Sequence, residues 1–216
     1  QAGSTRTDFR VSLVEPWFLG QKLSLGTDLY YRDLIFLSPE YDQRNVGASV
    51  FLRKPVGRRS YVKGEYRIET VEIEAESDTT QAFKDEEDEY LRSALSLNYV
   101  YDSRDSNQLP RRGHKVDLGL IYAGGLLAGD IDTITFTGSG TKHWSLPFDA
   151  ILTARGSFAV VDSHGDNDHI PIFERQFLGG ARDLRGFDFR NIGPRDDIGP
   201  NPTQEVLGGA TSVFGS

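Results

Sequence analysis

Apolar and polar residues alternate along most of this chain, and a period of two predicts β-strands rather than helices. Eight stretches alternate in this way, at residues 9–13, 23–32, 46–53, 61–73, 91–101, 116–122, 134–146 and 152–160, and a ninth begins at Ala210. In the fourth stretch one face is fully charged, with Lys63, Glu65, Arg67 and Glu69 in succession. The pattern therefore predicts an all-β, antiparallel protein with strands of roughly 8 to 13 residues.

The connections between the predicted strands mostly alternate in length. Short connections lie at 16–22, 55–59 and 147–149, and longer ones lie at 35–44, 74–89 and 163–209. The connection at 102–112 is an exception, because it is long but belongs to the series of short connections. Short turns on one rim and long loops on the other are typical of outer-membrane β-barrels.

Aromatic residues near the ends of the predicted strands point the same way, because barrels carry aromatic girdles at both membrane interfaces. These residues are Trp17, Phe18, Tyr30, Tyr31, Tyr99, Tyr101, Tyr122, Trp144 and Phe148. A soluble β-sandwich is the alternative, since its strands also alternate and its rings fill a protein core.

Composition narrows the functional classes. The 216 residues include no cysteine, which excludes disulfides and thiol chemistry, and the net charge of −8 argues against a nucleic-acid surface. A run of about 18 apolar residues, as a transmembrane helix needs, does not occur, but a mean hydropathy of −0.43 is compatible with a β-barrel. The lack of methionine leads us to expect a processed chain or a piece of a longer protein.

The segment from Pro171 to Pro194 follows neither the period of a strand nor that of a helix, and it lies within the long connection at 163–209. Ordered loops of this length are uncommon unless they are functional, so we expect function here first. The interior of an eight-stranded barrel barely holds its own side chains. If the loop folds inward, the complete barrel must therefore have more strands.

The residues that give this segment its character are Pro171, Phe173, Glu174, Phe177, Gly179, Gly180, Leu184, Arg185, Gly186, Phe187, Ile192, Gly193 and Pro194. In this order they resemble the sixth extracellular loop of BamA-type assembly factors, the bacterial surface-antigen superfamily, with its (V/I/L)-R-G-(F/Y) signature. The turn Glu15-Pro16-Trp17-Phe18 resembles a periplasmic turn of the same family. The resemblance covers nearly the whole chain.

This resemblance implies a 16-stranded barrel preceded by POTRA domains. The chain would supply strands four to eleven, the sixth loop and the start of strand twelve, so residues 1–216 would be a partial barrel and residues 163–209 a loop inserted into its lumen. The lateral gate between the first and last strands would lie outside it.

Within the loop motif, Leu184-Arg185-Gly186-Phe187, the resemblance assigns the central role to Arg185. A guanidinium can clamp a carboxylate with two hydrogen bonds and pin a loop inside a barrel, and its acidic partner is expected beyond Ser216. Gly186 would permit a positive φ, Phe187 would anchor the tip, and Gly179 and Gly180 would shape the bend. The alternative is that Arg185 is an ordinary solvated arginine.

Enzymatic chemistry and cofactors are not predicted. The Gly179–Gly186 segment lacks the ending of a phosphate-binding loop, and the polar run from Asp162 to His169 does not match a calcium loop. No nucleophile elbow or metal-spaced pair supports a hydrolase at His143, His164 or His169. The acidic run Asp85–Glu89 is interpreted as a solvated loop.

The predicted function is the folding and insertion of other outer-membrane proteins, in the bacterial outer membrane and without an enzymatic reaction. The expected partners are nascent outer-membrane proteins, membrane lipids and lipopolysaccharide, accessory assembly lipoproteins and periplasmic chaperones, and nucleic acid is not among them. The alternatives are a polypeptide-translocating pore of the same superfamily, a passive porin and a soluble β-sandwich binding domain.

Overall fold

The fold is described from a computed structural model, for residues 6–34, 41–75, 81–165, 169–180, 184–195 and 205–216. The strands are β1 (Arg6–Glu15), β2 (Ser24–Leu34), β3 (Tyr41–Pro55), β4 (Ser60–Ala75), β5 (Glu89–Asp102), β6 (Gly113–Ala123), β7 (Thr133–Ser145), β8 (Ile151–Ser163) and β9 (Thr211–Gly215). A four-residue α-helix, α1 (Gln81–Lys84), and two single 3₁₀ turns (Phe18–Gly20 and Gly125–Leu127) lie in the connections.

All nine strands form one antiparallel sheet in the order β1-β2-β3-β4-β5-β6-β7-β8-β9, so each strand pairs with its neighbours in sequence. The prediction of eight strands and the start of a ninth is confirmed, although β4 reaches 16 residues and exceeds the predicted length. The sheet includes Tyr41 to Arg44, which were predicted to be loop, because β3 pairs with β4 from Tyr41 onward. The described sheet does not close, since β1 and β9 are its edges.

The two faces of the sheet have the opposite burial from those of a soluble protein. The apolar face is exposed: Phe9 is 66% exposed, Leu13 73% and Leu29 61%. On the polar face, Glu69 is 7% exposed and Arg92 8%. A single sheet with an exposed apolar face is not a sandwich, and it matches the wall of a barrel whose apolar face meets lipid.

Tyr30 belongs to the polar face and is 7% exposed, so the prediction that it contributes to an aromatic girdle is wrong. The pleat sends successive residues to opposite faces, which leaves Tyr31 alone on the apolar side. The prediction of a fully charged face on β4 also fails at its end. Val71 and Ile73 follow Glu69 on that face, and both are buried.

Among the described residues, no helix combines the length and the hydrophobicity needed to cross a membrane.

Candidate functional site: the docked loop

The connection from β8 to β9 folds back onto the polar face of the sheet, near the strand ends that carry long loops. Its contact with the sheet includes a hydrophobic cluster of fully buried side chains, which come from the sheet itself and from two connections. They are Tyr41 of β3, Val71 and Ile73 of β4, Phe83 of α1 and Ile172 of the long connection. Tyr41 and Phe83 stack with ring centroids 5.6 Å apart. The cluster therefore joins two loops to the sheet.

Glu86 lies at the centre of a second set of contacts and is only 2% exposed. Its Oε1 accepts hydrogen bonds from Nη2 of Arg175 at 2.6 Å and from Nε2 of His169 at 2.7 Å. Its Oε2 accepts the backbone N–H of Ile172 at 3.2 Å. The interpretation of the acidic run Asp85–Glu89 as solvated is thus wrong for Glu86, because the long connection covers this carboxylate.

Arg175 connects Glu86 to both ends of the docked segment. Its Nε donates to the carbonyl of Ile170 at 2.8 Å and its Nη1 to the carbonyl of Leu207 at 3.2 Å. All three nitrogens of the guanidinium donate hydrogen bonds, each to a different acceptor. The compact ammonium of a lysine does not offer this geometry.

Glu174 makes the direct ionic contact between the loop and the wall of the sheet. Its carboxylate accepts a hydrogen bond from Nε of Arg92 on β5. Arg92 also donates from Nη1 to Glu69 at 3.1 Å, and Glu69 in turn accepts the hydroxyl of Tyr30 at 2.7 Å. The side chains of Arg92, Glu69 and Glu174 are each 10% exposed or less. This buried chain of contacts starts at the loop and extends from β5 to β2, over four neighbouring strands.

Arg190 packs between two rings. Its guanidinium carbon is 3.7 Å from the ring centroid of Phe177 and 5.5 Å from that of Tyr41. Burial lowers the pKa of Arg190 from its ordinary value, since desolvation disfavours the charged form.

The backbone of the loop is held by three antiparallel bridges, Gln176 to Gly209, Leu178 to Ile192 and Arg195 to Val206. Gly193 and Pro194 follow the second bridge, and the carbonyl of Pro194 accepts the N–H of Leu207 at 2.8 Å. Leu178 and Ile192 therefore pair at the base of a hairpin-like excursion that carries the motif residues 184–187.

The predicted glycines have conformations that require glycine. Gly179 has φ 118°, Gly180 φ 101° and Gly186 φ 93°. A Cβ on Gly179 would overlap the carbonyl oxygen of Asp188, whereas one on Gly186 would meet nothing within 4 Å. Gly179 therefore needs both the backbone freedom and the space, and Gly186 needs only the former.

The remaining motif residues lie at the surface of the described structure. Leu184 is half-buried, Arg185 is exposed and Phe187 is 56% exposed. Arg185 makes no ion pair with any residue in the described ranges, and its proposed docking stays a prediction. Pro16, Trp17 and Phe18 form a turn on the opposite rim, far from the loop along the strands, where Trp17 is 56% exposed.

Two groups of residues that were weighed for other chemistry have structural contacts. His164 stacks on Tyr122 with centroids 4.6 Å apart, and Nδ1 of His143 lies 2.9 Å from the hydroxyl of Thr153. Residues 166–168 of the polar run lie outside the described residues.

Sequence reasoning missed Glu86, Phe83, Arg92 and Arg175 as a connected set. One local signal pointed toward this set of contacts. The face of β4 that carries charged residues up to Glu69 continues with Val71 and Ile73, which indicates that an apolar group covers the end of that face.

The Omp85 superfamily domain matches residues 1–216, the full length of the chain. This chain belongs to the Omp85 superfamily. The predicted resemblance to BamA-type proteins is thereby confirmed.

Two curated relatives are similar to this chain over part of their length. It is 28% identical over 192 residues to the outer membrane protein assembly factor BamA of Nitratidesulfovibrio vulgaris, covering 88% of this chain and 24% of the relative. It is 33% identical over 116 residues to the human sorting and assembly machinery component 50 homolog, covering 54% of this chain and 24% of the relative.

The crystal structure of BamA from Haemophilus ducreyi lacking POTRA domains 1–3 has the same fold. Its TM-score is 0.83 at 20% identity, with 97% of this chain and 44% of that chain covered. The chain thus spans about a quarter of the two curated relatives and less than half of the solved one.

Proposed function

We propose that this chain is the central part of the barrel of an outer-membrane protein assembly factor, which folds and inserts other β-barrel proteins. The observation that carries the proposal is the connection from β8 to β9, whose residues Glu174 and Arg175 fix it to the polar face of a nine-stranded Omp85 sheet through Arg92 and Glu86. A relative named an assembly factor aligns with 88% of the chain.

The mechanism involves no covalent step. The apolar face of the sheet meets lipid, the docked loop braces the lumen, and the hairpin with Leu184-Arg185-Gly186-Phe187 is presented beyond the brace. A fixed loop keeps the wall in one shape while client strands pair elsewhere on the barrel. Assembly then means lowering the barrier to strand pairing in a locally perturbed bilayer.

The same proposal includes location and partners. We place the protein in a bacterial outer membrane, in contact with lipopolysaccharide and phospholipid, with nascent outer-membrane proteins as clients. The proposed partners also include accessory lipoproteins and periplasmic chaperones. The similarity to the BamA of Nitratidesulfovibrio vulgaris supports the bacterial placement, whereas the human relative shows that the superfamily is not confined to bacteria.

The test is Arg185→Ala in the full-length parent protein, with Asp188→Asn at the same exposed tip as the matched control. We expect Arg185→Ala to lower the steady-state levels of other outer-membrane porins and to make the barrel itself more heat-labile in heat-modifiable gel mobility. Asp188→Asn should leave both unchanged.

Other outcomes point to other functions. If Arg185→Ala leaves porin levels and gel mobility unchanged, the motif is an ordinary loop and a passive porin becomes the better interpretation. If porin levels hold while export of a secreted polypeptide falls, the chain belongs to a translocating pore.

A further inference from the structure

The connections on one rim of the sheet carry an excess of positive charge that the proposed function does not use. We define the short-turn rim as residues 15–23, 53–60, 102–115 and 142–150, the turns between alternate strand pairs with the adjoining strand ends. These residues include ten lysines or arginines and four aspartates or glutamates. The whole chain has a net charge of −8, so the rim and the rest of the molecule have opposite sign.

The four carboxylates of the short-turn rim are already used within it. Oε1 of Glu15 accepts the N–H of Trp17 at 3.0 Å, and Asp102 pairs with Arg104 at 2.7 Å. Asp105 accepts the N–H of Arg111 at 3.0 Å, and Asp149 pairs with the guanidinium of Arg111 at 2.6 Å.

Six cations of the rim remain without an ion pair among the described residues. They are Lys22, Arg53, Lys54, Arg58, Arg59 and Lys142. Two of them are directed toward lipid by the strand pleat. Lys54 lies two residues after the exposed Leu52 on β3, and Lys142 lies two residues before Trp144 on β7. Each lysine is therefore on the same apolar face of the sheet as that neighbour.

Aromatic residues mark the level of the membrane interface at the same end of the strands as these cations. Tyr99, Tyr101 and Trp144 lie on the apolar face at this end of the strands, and Nζ of Lys142 is 5.8 Å from the ring centroid of Trp144. At the turns, Trp17 is 56% exposed and Phe148 fully exposed. Aromatic side chains prefer the headgroup region, so cations at the same end of the strands lie close to lipid phosphates.

We infer that the short-turn rim binds the headgroups of anionic phospholipids in the membrane leaflet that it faces. This inference rests on the membrane placement in the proposed function. A partner with an acidic protein surface could also use the cations, but Lys54 and Lys142 point sideways along the membrane rather than away from it, and the exposed rings beside them suit a lipid interface. An anionic surface attracts each nearby lysine or arginine, and salt screens that attraction.

The experiment measures the lipid dependence of the protein's own stability, without any client. The full-length parent protein is reconstituted in bilayers of phosphatidylcholine, with or without phosphatidylglycerol of the same chain length. The midpoint of heat-modifiable gel mobility is then compared at low and high salt. The variant is the triple substitution Lys54→Gln, Arg58→Gln and Arg59→Gln, and the control is Lys84→Gln in the loop between β4 and β5.

We expect phosphatidylglycerol to raise the midpoint of the wild-type protein at low salt, and high salt to abolish the increase. The triple variant should lose at least half of that increase, whereas Lys84→Gln should retain it. The inference is overturned if the wild-type protein has the same midpoint in both lipids, or if the triple variant keeps the full increase. An equal drop of the triple variant in both lipids would also overturn it and would assign the cations to a protein contact. Because no client is present, a failure here is distinct from a failure of the assembly function.

Discussion

The prediction that tests the docked loop most directly is the substitution Glu86→Gln in the full-length parent protein. Glutamine keeps the shape of the side chain and one oxygen acceptor, but it removes the negative charge that Arg175 and His169 share. Arg175 would then remain largely buried with only uncharged acceptors, namely the carbonyls of Ile170 and Leu207 and the amide oxygen of the new glutamine.

The magnitude follows from these contacts. Removing one partner of a buried ion pair costs roughly 3–5 kcal/mol. The cost falls at or somewhat below the lower end of that range here, because the side chain of Arg175 is 18% exposed and that of His169 63%. We therefore expect a loss of about 2–3 kcal/mol in the free energy of loop docking, which lowers the docking equilibrium constant by about 30- to 150-fold.

The assay is hydrogen–deuterium exchange of the parent protein in its membrane mimic, read by mass spectrometry on peptides that cover residues 169–180. Local opening dominates exchange in such a segment, so the fall in docking free energy should appear as faster exchange there, while the strands keep their protection. Glu87→Gln is the matched control. It makes the same charge change one position away, and Glu87 is exposed. If Glu86→Gln and Glu87→Gln give equal exchange in this segment, Glu86 does not hold the loop and the reasoning is refuted.

Two further substitutions and one titration test the contact with the sheet, the bend of the loop and a turn. Glu174→Gln should leave the buried Arg92 with Glu69 as its remaining carboxylate partner and should increase protease cleavage of the loop, since the ion pair between the loop and the wall is lost. Gly179→Ala should destabilise the loop by roughly 1–3 kcal/mol, because the new Cβ adds a clash to a strained φ, and the same exchange measurement reports it. The N–H of Arg111 holds the pKa of Asp105 below its usual range, so its contribution to the turn is complete above the ordinary carboxyl pKa and is lost as pH falls through the lowered value. The carboxyl carbon-13 shift of Asp105 should therefore titrate at a lower pH than that of an ordinary aspartate.

Each of these has its own control or contrary result. Asp188→Asn removes an exposed carboxylate from the same loop and should not increase cleavage. Gly186→Ala has only the strain of a positive φ to bear and should cost less than Gly179→Ala; the reverse order would contradict the steric account. A carboxyl shift that titrates at or above the ordinary value would show that Asp105 does not accept the turn amide in solution.

The strands could be predicted because their evidence is local. Side chains on a strand repeat every two residues, and Phe9, Leu13 and Leu29 sit on the lipid side for that reason alone. The glycine positions of the motif could also be anticipated, since a positive φ favours glycine wherever the chain turns sharply. Tyr30 was misplaced although its parity with Asp28 and Arg32 already put it on the polar face.

The docking of the loop could not be predicted in the same way. The partners of Glu86 lie 83, 86 and 89 residues away, at His169, Ile172 and Arg175. Nothing in the run Asp85–Glu89 distinguishes the one buried carboxylate from its solvated neighbours, because burial there depends on what folds over it. The same holds for Arg92 and Glu174, which are 82 residues apart.

The sequence by itself thus determined the strands, their faces and the family motif, because period-two alternation and turn chemistry act between near neighbours. Only the tertiary structure decided which charges are paired in the interior and which remain at the rim. A long connection must return to a particular height on a particular strand before Glu86 meets Arg175 or Arg92 meets Glu174, and that position is set by the register of the whole sheet.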